Sequence, residues 1–142
     1  MNSRLGEFTE LIATQAAPAS GSAAAMALAM GAGLAQKVVS RSPNLRDQTA
    51  LGAQAQMMRD RALELIVADE HAVKDMLRRG TPGPQAVAVP QQIGEVAGDL
   101  DALASRLIKE GNPWLEADSL GALQLAQAAK KMTDAILQSN ST

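Results

Sequence analysis

Apolar residues recur three and four positions apart along most of the chain, the repeat of an amphipathic helix rather than the alternation of a strand. The first stretch predicts a helix from Ser3 to about Gln15, with Leu5, Phe8, Leu11 and Ile12 on one face and Pro18 closing it. A second helix is predicted from about Ser22 to Ser40, ending before Pro43. A third runs from about Leu45 to Arg79, with Arg78 and Arg79 suited to a helix C-terminus and Gly80 as its stop. Gly80-Thr-Pro-Gly-Pro84 breaks the pattern, and Gln85–Val89 reads as an apolar connector. After Pro90, Ile93, Val96, Ala97, Leu100, Leu103, Ala104 and Leu107 fall on one helical face, and Gly111-Asn112-Pro113 ends that helix. The last helix is predicted from near Asp118 to about Gln138, burying Ala122, Leu125, Ala126, Ala129, Met132 and Ile136, with a frayed polar tail from Ser139.

The second helix is the unusual one. From Ala23 to Ala35 thirteen residues carry no charged or polar side chain, too short a run to span a bilayer and suited to a core. Ala23, Ala27, Gly31 and Ala35 lie four apart, a narrow stripe of small residues that lets another backbone approach closely. A helix apolar nearly all round must be covered on all sides. The expected fold is therefore all-α, an antiparallel bundle of about five helices, assembling as a homodimer with the stripe at or near the two-fold interface. The alternative is a central helix wrapped by the other four.

Composition narrows the chemistry. A chain of 142 residues is expected to form a single domain over positions 1–142. Its formal charge is −2 with mixed signs throughout, and Phe8 and Trp114 alone could stack on bases, so nucleic acid is not an expected partner. The N-terminal Met-Asn-Ser-Arg lacks the apolar run of a signal peptide, so a cytoplasmic protein with no membrane partner is expected. With no cysteine and one histidine, disulfides, thiolate metal sites, multi-histidine metal sites and most His-based triads within one chain are excluded. An enzyme of this composition would need no metal or cofactor, and would rely on carboxylates, amides, hydroxyls and helix dipoles.

Three polar elements interrupt apolar surfaces. Ser20, Gly21 and Ser22 stand at the start of the Ala/Gly helix, where free N–H groups can hold an anion or polar ligand, or where Ser22 is simply an N-cap. On the third helix the stripe Leu51, Ala55, Met58, Ala62, Leu65, Ile66, Val73, Met76 includes position 69, which is Asp69. A carboxylate there must be hydrogen-bonded or paired; its pKa would rise, as proton transfer needs, or it would cap a neighbouring helix end. His71 lies roughly 200° round the helix from Asp69 and reads as a surface residue. Asn112 and Asp118 flank Trp114, which either seals the core or walls a pocket; turn and capping roles explain the flanking pair equally well.

In order, Phe8-Thr-Glu-Leu-Ile-Ala, Ala17-Pro-Ala-Ser-Gly-Ser-Ala-Ala-Ala25, Leu65-Ile-Val-Ala-Asp69, Val89-Pro90 and Glu110-Gly-Asn-Pro-Trp-Leu-Glu-Ala-Asp118 resemble the cyclodeaminase/cyclohydrolase family, over nearly the whole chain. That family includes the C-terminal domain of formiminotransferase-cyclodeaminase and stand-alone methenyltetrahydrofolate cyclohydrolases. The resemblance implies an all-helical dimer with a tetrahydrofolate derivative as substrate in a pocket near the interface. It implies that Ser20, Gly21 and Ser22 match the glycine-rich turn, Asp69 the buried helix aspartate, and Asn112 and Asp118 the asparagine–aspartate pair. The turn reads Pro18-Ala-Ser-Gly-Ser22 where the family has Pro-Gly-Gly-Gly-Ser, so backbone with positive φ is harder to adopt there. Arg79 to Ala88 stands where the family has a longer helical segment with an arginine.

The expected function is thus a metal-free cyclodeaminase or cyclohydrolase acting on formimino- or methenyltetrahydrofolate, in a cleft bounded by Ser20–Ser22, Asp69 and the Asn112–Asp118 segment and completed by a second subunit. Asp69, Asp118 and Asn112 would carry the chemistry, and Ser20, Gly21, Ser22 and Trp114 the ligand. The alternatives are the same fold working on a non-folate biosynthetic metabolite, and a non-catalytic helical dimer that binds a ligand or partner.

Overall fold

In the computed structural model, which describes residues 3–141, the chain folds into five α-helices and one 3₁₀ turn, with no strand among the described residues. They are α1 (Ser3–Thr14), α2 (Ser20–Ser40), α3 (Gln48–Arg79), α4 (Gln85–Glu110), the turn Pro113–Leu115 and α5 (Glu116–Asn140). Helices α2 to α5 run up and down in sequence order, so one end of the bundle gathers the start of α2, the end of α3, the start of α4 and the end of α5. Their opposite termini meet at the other end.

Helix α2 packs on α3, α4 and α5, and Leu28, Ala32, Ala35 and Val38 on it are fully buried. With 21 residues it is long and apolar enough to cross a membrane, but over half of its most apolar window lies inside the bundle. The small stripe divides. Gly31 and Ala35 face inward, and a Cβ at Gly31 would come within 2.8 Å of Leu100 Cδ2 on α4. Ala23 and Ala27 are half-buried. The stripe as a whole is therefore not an exposed interface: half of it lets α4 and α5 close on α2 within one chain.

The expected end of α3 holds. Gly80 takes φ 77°, a left-handed turn that costs glycine little, and its N–H bonds the Met76 carbonyl. The helix starts later than the pattern suggested, at Gln48, because Leu45 is tied back to the Ser42 carbonyl in a turn and Asp47 sits at φ 61°. The connector expected at Gln85–Val89 is instead the first turn of α4. Pro84 occupies its N-cap and Pro90 lies inside it. Pro90 has no N–H for the Ala86 carbonyl, and that carbonyl accepts 2.9 Å from Asn140 Nδ2 at the end of α5. A residue 54 positions away thus satisfies the group that proline leaves orphaned, and α5 is helical through Asn140 rather than frayed from Ser139.

Helix α1 stands apart. It makes at most marginal contact with the bundle, and Leu5 and Leu11 on its apolar face are 56% and 46% exposed.

Candidate active site

At the end of the bundle where α2 begins, a cavity of about 550 Å³ opens between α3, α4 and α5. That is within the range of small-molecule sites, roughly 300–1,000 Å³. Ala72, Val73 and Met76 of α3, Pro90 of α4, and Met132 and Ile136 of α5 form apolar walls, with Ser20, Gly21 and Asp69 at the start of α2.

Helix α2 begins without a cap of its own. Its N-cap residue is Ala19, which has no side chain to bond the free N–H groups. Asp69 reaches across from α3 to that place. A Cβ at Gly21 would overlap the Asp69 carboxylate, so glycine is needed for space. Positive φ is not the reason, since Gly80 is the one glycine with positive φ among the described residues. Ser22 Oγ can donate to either of two acceptors, the Ile66 carbonyl at 2.8 Å or Asp69 Oδ2 at 3.1 Å. A serine hydroxyl has a single proton. When that proton serves Ile66, the Asp69–Ser22 contact is a full hydrogen bond only if Asp69 carries the proton. Asp69 is thus held at the start of α2, as the capping reading expects.

Asp69 is 3% exposed. Burial pushes its carboxyl above the ordinary carboxylate range, opposed by hydrogen bonds from the Ser22 side chain and backbone. Among the described residues that line the cavity it is the one ionisable group. A carboxyl so placed can give a proton and take it back. His71 is exposed and does not line this cavity, as its helix phase required.

The Asn112–Asp118 segment is not in this cavity. The 21 residues of α2 separate it from Ser20 by about 30 Å at a rise of 1.5 Å per residue. Asn112 locks the other end of the bundle: its Nδ2 donates to the Arg41 carbonyl, its N–H to Ser42 Oγ, and its Oδ1 accepts from the Trp114 N–H. Asp118 pairs with Lys37 at 2.7 Å in the last turn of α2. Trp114 neither seals the core nor walls this cavity; at 92% exposed it stands out from the short turn. Within one chain, then, the expected cleft separates into a cavity with Ser20, Gly21 and Asp69 and a remote structural lock. Pro90 and Asn140 belong to the cavity and were not expected there. A proline within a helix signals a carbonyl in need of a donor, but nothing local names Asn140 as that donor.

No protein-family profile matches the chain, and no curated protein matches it. Among solved structures it is similar to the formiminotetrahydrofolate cyclodeaminase of Thermotoga maritima, with a TM-score of 0.88 and 20% identity. The match covers 96% of this chain and 77% of that one. The resemblance read from the sequence is thus one of fold.

Proposed function

We propose that the Asp69 cavity carries out C–N bond chemistry of the cyclodeaminase or cyclohydrolase kind, at a one-carbon unit held between two nitrogens. The observation that carries this reading is a buried carboxyl, raised toward neutrality and set in the wall of a ligand-sized cavity. The fold shared with a formiminotetrahydrofolate cyclodeaminase supports it.

In a cyclodeamination, a neighbouring N–H attacks the carbon of the protonated formimino group, and a tetrahedral carbon bonded to three nitrogens is formed. The attacking nitrogen loses its proton to the Asp69 carboxylate. Asp69 returns that proton to the departing NH₂, which leaves as ammonia while the methenyl bridge closes. In a cyclohydrolysis, water adds to the methenyl carbon and one of its protons passes to Asp69; the ring nitrogen receives that proton as the C–N bond breaks, and the remaining hydroxyl proton leaves to solvent as the formyl C=O forms. Both need one group that cycles between acid and base, and desolvation brings the Asp69 pKa toward the pH where this is efficient. Ser22 holds the carboxyl in one orientation, and Ser20 stands at the cavity where a polar substituent would lie. Asn112 and Asp118 enter only if a second subunit brings them to this end.

The first substrate to test is formiminotetrahydrofolate. Wild-type protein should release ammonia and build up the methenyl product, and Asp69→Asn should lower the rate at least a hundredfold, the lower range for loss of a general acid–base. Equal turnover by wild type and Asp69→Asn would remove Asp69 from the reaction. A second reading, a non-folate metabolite undergoing the same chemistry, is favoured by the apolar character of the cavity walls.

A further inference from the structure

Ser22 meets Asp69 in a way that a fixed cap does not require. It is fully buried in the first turn of α2, and its one hydroxyl proton has two acceptors in reach, the Ile66 carbonyl and Asp69 Oδ2. The two differ in what they lose without that proton. Ile66 lies inside α3, so the ladder of its own helix gives its carbonyl the Glu70 N–H. An ionised Asp69 without the hydroxyl is a buried charge short of a donor, which costs more than a neutral group left short. The ionised carboxyl therefore draws the serine proton to Oδ2. The neutral carboxyl reverses the preference. With its proton on Oδ2 it donates to Ser22 Oγ, the serine proton goes to Ile66, and two hydrogen bonds form. With its proton on the other oxygen, the serine bond to Oδ2 is the only one of the two that remains. The Ser22 backbone N–H also bonds the carboxyl and keeps the serine beside it whichever way the hydroxyl turns. Among the described residues that line the cavity, those of α2, α4 and α5 carry no charge that could take over this role. On α3 itself, Glu70 is paired with Lys74 at 2.9 Å and His71 is exposed.

From this geometry we infer that Ser22 is a positioning residue whose hydroxyl turns from the Ile66 carbonyl to Asp69 Oδ2 as the carboxyl ionises, and so readies the carboxylate to accept a proton. The Asp69 O–H bond breaks, its proton leaves to solvent through the cavity, and the serine O–H swings into the place it held. No heavy atom has to move. The role rests on the reading of the cavity as a proton-transfer site, and adds to it the residue that makes the basic form of Asp69 accessible.

Carbon-13 NMR of the full chain without substrate follows both acceptors, through the Asp69 carboxyl carbon and the Ile66 carbonyl carbon, as pH is raised. In the wild type the two should titrate with one midpoint, because Ile66 loses the serine proton as Asp69 ionises. In Ser22→Ala the Asp69 midpoint should rise by about one pH unit, the tenfold gain in proton affinity when a charged group loses one donor. The Ile66 carbon should then keep only the small change caused by the nearby charge. Ser22→Cys retains the volume of the side chain and offers a weaker donor, so it separates the hydrogen bond from packing; its midpoint should fall between the other two. An Asp69 midpoint equal in all three proteins would overturn the inference, as would an Ile66 titration of equal size in the wild type and Ser22→Ala. The two readings fail separately. Turnover of formiminotetrahydrofolate with neither carbon altered in Ser22→Ala would leave the reaction and remove the role of Ser22. A Ser22-dependent titration of Asp69 with no turnover would leave that role and remove the reaction.

Discussion

Asp69 has two neighbours that explain its behaviour, Ser22 and Gly21, and both lie on the helix it caps. Its linkage to stability has a definite sign. The folded-state pKa is raised above the unfolded value, so the native state holds the proton over a window in which the unfolded chain has lost it. Below the ordinary carboxylate range both states are protonated and Asp69 contributes no slope. As pH rises from that range through the raised folded value, stability falls, and above it the loss is complete. Asp75 has the opposite sign. Arg79 and Arg78 hold it below the ordinary range, so its contribution is present at neutral pH and lost as pH falls through its folded value. Urea midpoints between pH 4 and pH 8 should therefore decline for the wild type through the Asp69 window. Asp69→Asn should remove that decline and be at least as stable as the wild type at pH 8. A variant less stable than wild type at pH 8 would mean that the ionised carboxylate is favoured where it sits, and that the cap outweighs the desolvation.

Two helices meet at Pro90 and Asn140, and neither is understood alone. Proline inside a helix removes one N–H and normally leaves a carbonyl unpaired. Here α5 supplies the missing donor, which also ties the start of α4 to the end of α5 beside the cavity. Asn140→Ala should cost about 1–2 kcal/mol, the value of a hydrogen bond whose loss leaves a shielded acceptor unsatisfied. In a Pro90→Ala background the backbone N–H of residue 90 can serve Ala86, so the same change should cost little. A double-mutant cycle by chemical denaturation reads the difference directly. At the other end, Asn112 joins α2 to the turn before α5 through its side-chain and backbone groups. Asn112→Ala should lower stability by about 1–3 kcal/mol, and lose turnover only in proportion to unfolding if its role is structural. A loss of turnover with an unchanged melting temperature would return Asn112 to the reaction.

Among the described residues, large apolar side chains stand exposed on α1 (Leu5 and Leu11), on α3 (Met57, Leu63, Val67 and Leu77) and on the outer side of α2, where Met30 is 53% exposed. A homodimer across the outer side of α2 would cover Met30. With its two-fold axis perpendicular to the helix, it would set the Asn112–Asp118 end of one copy beside the Ser20 end of its partner. Sedimentation at micromolar concentration should then give a dimer, and Met30→Lys should give a folded monomer with an unchanged helical spectrum. A wild-type monomer under those conditions would leave the exposure of Met30 without this explanation. In the same arrangement, Asp69→Asn and Asp118→Asn chains, each impaired alone, should regain turnover when mixed.

The sequence by itself determined most of the helical stretches and the buried face of α4, because apolar spacing is a local property, but not the helical start of α4 at Gln85–Val89 or the exposure of the α1 face. The α4 face from Ile93 to Leu107 and the buried Asp69 followed from it. The left-handed stop at Gly80 and the exposure of His71 were legible for the same reason. What the tertiary structure alone decided depends on contacts between residues distant along the chain. Pro90 leaves the Ala86 carbonyl without its helical donor, and Asn140, 50 positions further along the chain than Pro90, arrives to serve it. Gly21 had to be glycine because Asp69 occupies the space of its side chain. Asn112 and Asp118 looked like partners of Asp69 because all three interrupt apolar patterns, and spacing along a chain carries no information about which end of a bundle a residue reaches. The up-and-down course of α2 places them about 30 Å from the cavity in their own chain.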